Sequence, residues 1–238
     1  MSNGIKVVKR DGVEEPINLE KIHKMVEHAC YGLASVSASQ VEINSGIQFY
    51  DGIKTSDIQE ILIRSANDLI SLDNPNYQFV AARLLLFGLR KSVYSVSPVN
   101  HPKVEDQLSG GIESGVYDRS LLKEYSSEEF AEMDSYMDHE RDMLFTYAGL
   151  RQVVDKYLVQ DRSSGEIYET PQYMYMLIAA TLFQKYPQDT RLDYVRRYYD
   201  AISKHQINIP TPVMAGVRTP LRQFASCVLV DVDDTLDS

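Results

Sequence analysis

The sequence predicts a mainly α-helical (α+β) fold with a small β-hairpin near its start and one buried strand near its end. Three observations carry this. Apolar residues recur at helical spacing over most of the chain, alternation of apolar and polar residues is confined to "IKVVKRDGVEEPI", and a valine-rich run, "FASCVLVDV", follows a proline-rich segment. With 238 residues, 44% of them hydrophobic, the chain can bury the cores of two ordinary domains.

The hairpin turns over Asp11-Gly12, a dipeptide suited to positive φ in a tight turn. Asn18 can cap the helix that follows, in which Leu19, Ile22, Met25, Val26 and Ala29 share one face. "FYDGIKT" reads as a loop, and Ser56 with Gln59 has the spacing of a capping box opening "DIQEILIRSANDLIS". Asn74-Pro75 introduces "YQFVAARLLLFGLRKSVY", whose apolar positions cover most of a helix circumference. The stretch "SVSPVNHPK" lacks periodicity and reads as a linker. Beyond it, Ser126 and Glu129 form another capping box and "RDMLFTYAGLRQVVDKY" is periodic. "YLVQDRSSGEIYET" reads as a hairpin over Ser164-Gly165, and Thr170-Pro171 and Thr190 open two more helices. "INIPTPVMAGVRTP" reads as an irregular loop before the terminal apolar strand.

A formal charge of −10 argues against a general nucleic-acid binder, which needs a basic face to displace counterions. Two cysteines, Cys30 and Cys227, lie far apart without zinc-ligand spacing or a secretory signal, so a reducing cytoplasm is expected and neither a metal site nor a disulfide framework is. No apolar run approaches the length needed to span a membrane. Locally the charge differs. Lys9 and Arg10 flank the hairpin turn, and Lys21 sits in the first turn of the next helix, where the macrodipole disfavours a cation unless an anion is near. With Thr55 and Lys91 these residues could form a phosphate site; the competing reading is ordinary solvated charge.

Asp231 to Leu236 reads D-V-D-D-T-L and resembles the nucleophile motif of haloacid-dehalogenase-like phosphatases. That chemistry needs a doubly wound sheet with a lysine and further acidic residues on later strands, and the upstream chain lacks the alternating strand and helix pattern of such a sheet. Calcium-binding EF-hand spacing is missing as well.

"VVKRDGVEEPINLEKIH", "QFYDGIKTSDI" and "AARLLLFGLRK" together resemble the ATP-cone of ribonucleotide reductase large subunits, and the likeness continues through "DHERDM", "GEIYETPQYMYM", "INIPTPVMAGVRTP" and "FASCVLV". It spans essentially the whole chain and points to the class I, aerobic, diphosphate-reducing enzymes. The resemblance implies an ATP-cone over residues 1–95, the helical N-terminal reductase domain over 96–222, and over 223–238 the first strand of an α/β barrel with the start of an effector-specificity loop. It implies ATP and deoxynucleotide effectors held by Lys9, Glu15, Pro16, Ile17, Asn18, Leu19, Glu20, Lys21, Thr55 and Lys91. Lys9, Lys21 and Lys91 would hold phosphates and Thr55 would donate a hydroxyl hydrogen bond. Gln59 and Gly88 stand where relatives carry histidines, which implies weak dATP inhibition.

By the same resemblance Cys227 is one half of the redox-active dithiol, Thr211 and Ser226 contact substrate, and Asp234, Thr235 and Leu236 begin the effector-specificity site. Cys30 matches no catalytic position and reads as core. The implied partners are the remainder of the large subunit, which carries the radical cysteine, a radical-generating small subunit holding the metal cofactor, a thioredoxin or glutaredoxin-type reductant, and ribonucleoside diphosphates. The chain is thus expected to be the N-terminal third of a large subunit, from a split gene or a truncation, and inactive alone. A stand-alone ATP/dATP-binding regulatory module is the alternative.

Overall fold

The computed structural model describes residues 5–46, 50–94, 101–221 and 223–231. They form two compact units that do not follow chain order: residues 138–156 belong with residues 1–102 in the first, and residues 103–137 and 157–238 make the second.

In the first unit β1 (Lys6–Val8) pairs antiparallel with β2 (Glu14–Pro16), with Val7 opposite Glu15. The turn between them is the expected one. Gly12 has φ +81°, its N–H donates to the Lys9 carbonyl at 3.0 Å, and the Asp11 carboxylate accepts from the Val13 N–H at 3.0 Å. A third strand, β3 (Ile53–Lys54), lies parallel to β1 in the order β2-β1-β3, where the sequence reads as loop. Two residues are too few to show alternation; Asp51 secures the edge by accepting from the Lys6 N–H at 2.9 Å.

Helix α1 (Leu19–Cys30) is capped by Asn18, whose side chain accepts from the Lys21 N–H at 2.9 Å. Val26 and Ala29 are fully buried, whereas Leu19, expected on the same face, is 57% exposed. After α2 (Ala38–Asn44), helix α3 (Thr55–Asp68) starts one residue before Ser56. The expected Ser56–Gln59 capping box therefore does not form. The Gln59 amide instead donates 2.6 Å to the Leu84 carbonyl in α4 (Tyr77–Tyr94), the apolar helix at the centre of the unit. Buried Val80, Leu84 and Leu86 anchor α4 against its neighbours, at about 1.5–3 kcal/mol for each large side chain removed from water.

The periodic stretch beginning at Arg141 is not one helix. A 3-10 turn over His139–Leu144 ends in extended Phe145, and Thr146 restarts the chain as α8 (Tyr147–Lys156) by accepting from the Gly149 N–H at 3.3 Å. Of the expected linker, residues 95–100 lie outside the described residues.

The second unit holds α5 (Val104–Glu113), α6 (Ser120–Glu124), α7 (Ser127–Tyr136), α9 (Pro171–Phe183), α10 (Arg191–Ser203) and α11 (Thr211–Gly216). The Ser126–Glu129 capping box forms, and Glu129 also takes the buried Arg191 guanidinium, with Arg191 Nε at 2.6 Å, pinning α7 to the start of α10. Helix α9 is buried all round, as its uniform apolarity demands. The hairpin expected over Ser164-Gly165 closes with Gly165 at φ +76° but is reduced to a single bridge, Gln160 to Ile167.

Two expectations near the end of the chain need correction. "INIPTPVMAGVRTP" contains the short helix α11, started by Pro212 in its first turn and held by the Arg218 side chain. The expected terminal strand does not form among the described residues: over 223–231 the backbone is irregular, and Val228, Leu229 and Val230 are 76%, 99% and 68% exposed. A β-strand exists only by pairing, and among the described residues no strand lies beside it to supply the partner groups. Among the described residues no helix is long and apolar enough to cross a membrane.

Candidate functional site

The strand-to-helix corner of the first unit gathers the basic residues. Lys9 follows β1 directly, and Thr55 follows Lys54, the residue paired with Val8. The corner is shaped by Pro16, opposite Lys6, by the Ile17 N–H donating 3.0 Å to Ile5, and by the Asn18 cap, which together fix the first turn of α1 that carries Lys21. The Arg10 guanidinium reaches the Gly88 carbonyl of α4 at 3.4 Å, and Lys91 stands one turn further along that helix.

The electrostatics show that these groups converge. Desolvation pushes the Lys91 ammonium down, and the positive charges of Arg10, Lys21 and Lys9 push it further; Glu15 alone opposes them. Four cations thus lie near two carboxylates, Glu15 and Asp11, on a chain whose net charge is −10. Glu15 is committed to Lys9 at 2.7 Å and holds that ammonium above its ordinary range through the hydrogen bond and its charge. Burial lowers the Arg10 guanidinium. Such a cluster, beside backbone N–H groups at the start of α1, attracts a polyanion.

The expected residues separate into roles. Lys9, Glu15, Lys21 and Lys91 are brought together, while Pro16, Ile17 and Asn18 form the corner. Thr55 is half-buried at the first position of α3. Leu19 is exposed, and Glu20 turns along α1 to Lys24 at 2.6 Å. Arg10 joins the cluster through a contact spanning 78 residues; its signal in the sequence was only that it sits next to Lys9 before the turn. Gln59 and Gly88 meet each other: a Cβ at Gly88 would lie 3.3 Å from Gln59 Cγ, so the glutamine covers the space that a side chain at position 88 would enter.

In the second unit Thr211 is the first residue of α11, its hydroxyl 3.4 Å from the Tyr157 hydroxyl. Ser226 and Cys227 lie in the exposed terminal segment, 3.8 Å apart between Oγ and Sγ. Asp234, Thr235 and Leu236 lie outside the described residues. Cys30 is half-buried, its thiol pushed up to about 11 chiefly by burial. Among the described residues no group of His, Cys, Asp and Glu side chains could hold a metal ion.

The profile of the ATP cone domain matches residues 5–92, and that of the ribonucleotide reductase all-alpha domain matches residues 143–222. Over all 238 residues the chain is 54% identical to ribonucleoside-diphosphate reductase 1 subunit alpha of Escherichia coli strain K12, covering 31% of that protein. The chain belongs to the ribonucleotide reductase alpha-subunit family. It is also 53% identical over its full length to the subunit alpha of Haemophilus influenzae, and 45% identical over 236 residues to that of Enterobacteria phage T4. The chain spans about a third of the length of these relatives and corresponds to their N-terminal region. Its basic cluster lies within the segment that matches the ATP cone, a regulatory domain.

Proposed function

We propose that residues 1–95 bind ATP at the basic cluster and through it regulate the reduction of ribonucleoside diphosphates. Residues 96–222 form the helical N-terminal domain of the reductase, and residues 223–238 begin its barrel. The observation that carries this reading is the convergence of Lys9, Arg10, Lys21 and Lys91. A triphosphate supplies the charge that four neighbouring cations lack, and each ammonium or guanidinium contact is a charge-assisted hydrogen bond. The Thr55 hydroxyl and the corner Glu15, Pro16, Ile17, Asn18, Leu19 and Glu20 supply the nucleoside side.

Gln59 and Gly88 favour a cone that responds weakly to dATP, because the glutamine side chain is tied to Leu84 and fills the space over Gly88. In the second unit, Thr211 and Ser226 contact substrate and Cys227 is one thiol of the redox pair. When the ribose 2′-hydroxyl leaves as water, the two thiols give up two electrons and two protons and become a disulfide, which a thioredoxin or glutaredoxin-type protein reduces again. The thiyl radical and second redox cysteine come from the part of the large subunit beyond the matched third, and the radical originates in a metal-bearing small subunit. Asp234, Thr235 and Leu236 begin the specificity site, and the assembly works in the cytoplasm.

The test supplies the remaining two thirds of the large subunit, in cis or in trans, with a small subunit and thioredoxin, and measures deoxycytidine diphosphate formation with and without ATP. The reading expects reduction that ATP stimulates and that the chain alone does not perform. An assembled complex that reduces nothing, or whose rate ignores ATP, overturns it.

A further inference from the structure

The second unit contains a fully buried ion pair, Arg218 with Glu169. Arg218 Nε donates to both Glu169 oxygens, at 3.1 and 2.9 Å. The carboxylate also accepts from the Val159 N–H at 2.7 Å and the Tyr117 hydroxyl at 2.8 Å. Stability alone does not call for such a pair, since apolar packing of the same volume serves as well or better.

Its remaining bonds show where its orientation is transmitted. Nη1 donates 2.6 Å to the Met214 carbonyl within α11, and Nη2 donates 2.9 Å to the Tyr157 carbonyl. One guanidinium therefore fixes both backbone segments whose side chains form the Tyr157–Thr211 hydroxyl pair.

We propose that Arg218 is a positioning residue for substrate, holding Tyr157 so that its hydroxyl donates to Thr211 Oγ1 and turns the threonine hydrogen toward a substrate diphosphate. A hydroxyl that accepts from one neighbour has its own proton left to give, and phosphate oxygens accept only, so the direction of the pair decides whether Thr211 can serve an anion. This rests on Thr211 contacting substrate, as read above.

The test has two arms. Hydrogen exchange on the 238-residue chain compares wild type with Arg218→Lys, which keeps the charge and loses the fork. Amides of α11 should exchange at least about tenfold faster while α10 is unchanged; equal exchange in α11 overturns the positioning role whatever the enzyme does. In the assembled reductase, Tyr157→Phe removes a single hydroxyl from a half-buried side chain and so leaves the fold intact. It should raise KM for ribonucleoside diphosphate roughly 2- to 10-fold with kcat nearly constant, the worth of one hydrogen bond. In a Thr211→Val background the same change should have no further effect. An equal KM rise in both backgrounds overturns the proposal. If the unaltered assembly reduces nothing, the function proposed above fails and the substrate part of this inference falls with it, while hydrogen exchange still decides the positioning.

Discussion

Replacing Lys91 with methionine separates a binding role from a structural one, because the two move in opposite directions. In the ligand-free protein the Lys91 ammonium is disfavoured, first by desolvation and then by Arg10, Lys21 and Lys9. Its folded-state pKa lies below the unfolded value, so at neutral pH the charged form costs stability. Removing the charge while keeping the stem should leave the melting temperature of the ligand-free chain unchanged or raise it. Nucleotide binding should fall. A charge-assisted hydrogen bond to phosphate contributes about 1.5–3 kcal/mol, so the dissociation constant for ATP should rise roughly 10- to 150-fold. The cluster is open to solvent, so added salt should weaken wild-type binding more than that of the variant, which presents one cation fewer. Calorimetric titration and thermal melts of both proteins, with Lys123→Met as a control remote in sequence, give all the readouts. ATP affinity within twofold of wild type, or a lower melting temperature without ligand, would refute the reasoning.

Three further outcomes are expected. With Gln59 over Gly88, the assembled reductase should lose little activity at dATP concentrations that saturate the cone, and a steep loss at low micromolar dATP in a rate assay would show that these residues do not set the response. Replacing Cys227 with serine should halt multiple turnover with thioredoxin, since no disulfide can form to carry the two oxidising equivalents; continued turnover in a product-per-enzyme count would remove Cys227 from the redox pair. His101 and His139 stack at 3.6 Å within the first unit; burial and then Arg90 push His101 down to about 4, and burial, then His101, then Arg90 push His139 down to about 3. Folded pKa values below the ordinary 6.5 mean that stability is fully present above about pH 6.5 and is lost as pH falls through the folded values. Thermal melts between pH 7 and pH 4 should show this decline, shallower for His101→Phe; an unchanged slope in that variant contradicts the assignment.

Local rules read the elements well where the signal was local. The Asp11-Gly12 turn, the Asn18 cap, the Ser126–Glu129 box and the Pro171 helix start each depend on residues within a few positions, and each forms. Readings failed where a distant partner decided. Gln59 fits a box by spacing, but Leu84 of α4 takes its amide. The two residues of β3 become a strand only because β1 lies beside them. The valine-rich terminal run has strand composition but no neighbour among the described residues to pair with, so it forms no strand here. At the basic cluster, Lys9, Arg10, Lys21 and Lys91 are legible in the sequence as candidate anion-binding residues; that Arg10 meets the Gly88 carbonyl, 78 residues away, is not.

The central claim is that four cations drawn from the hairpin, α1 and α4 form a nucleotide site, and titrating ATP, ADP and AMP into the unaltered chain in a calorimeter tests it most directly. The account predicts saturable binding of ATP that weakens stepwise to ADP and then AMP as phosphates are removed. Absence of measurable heat with ATP at millimolar concentration, or equal affinity for all three nucleotides, would contradict it.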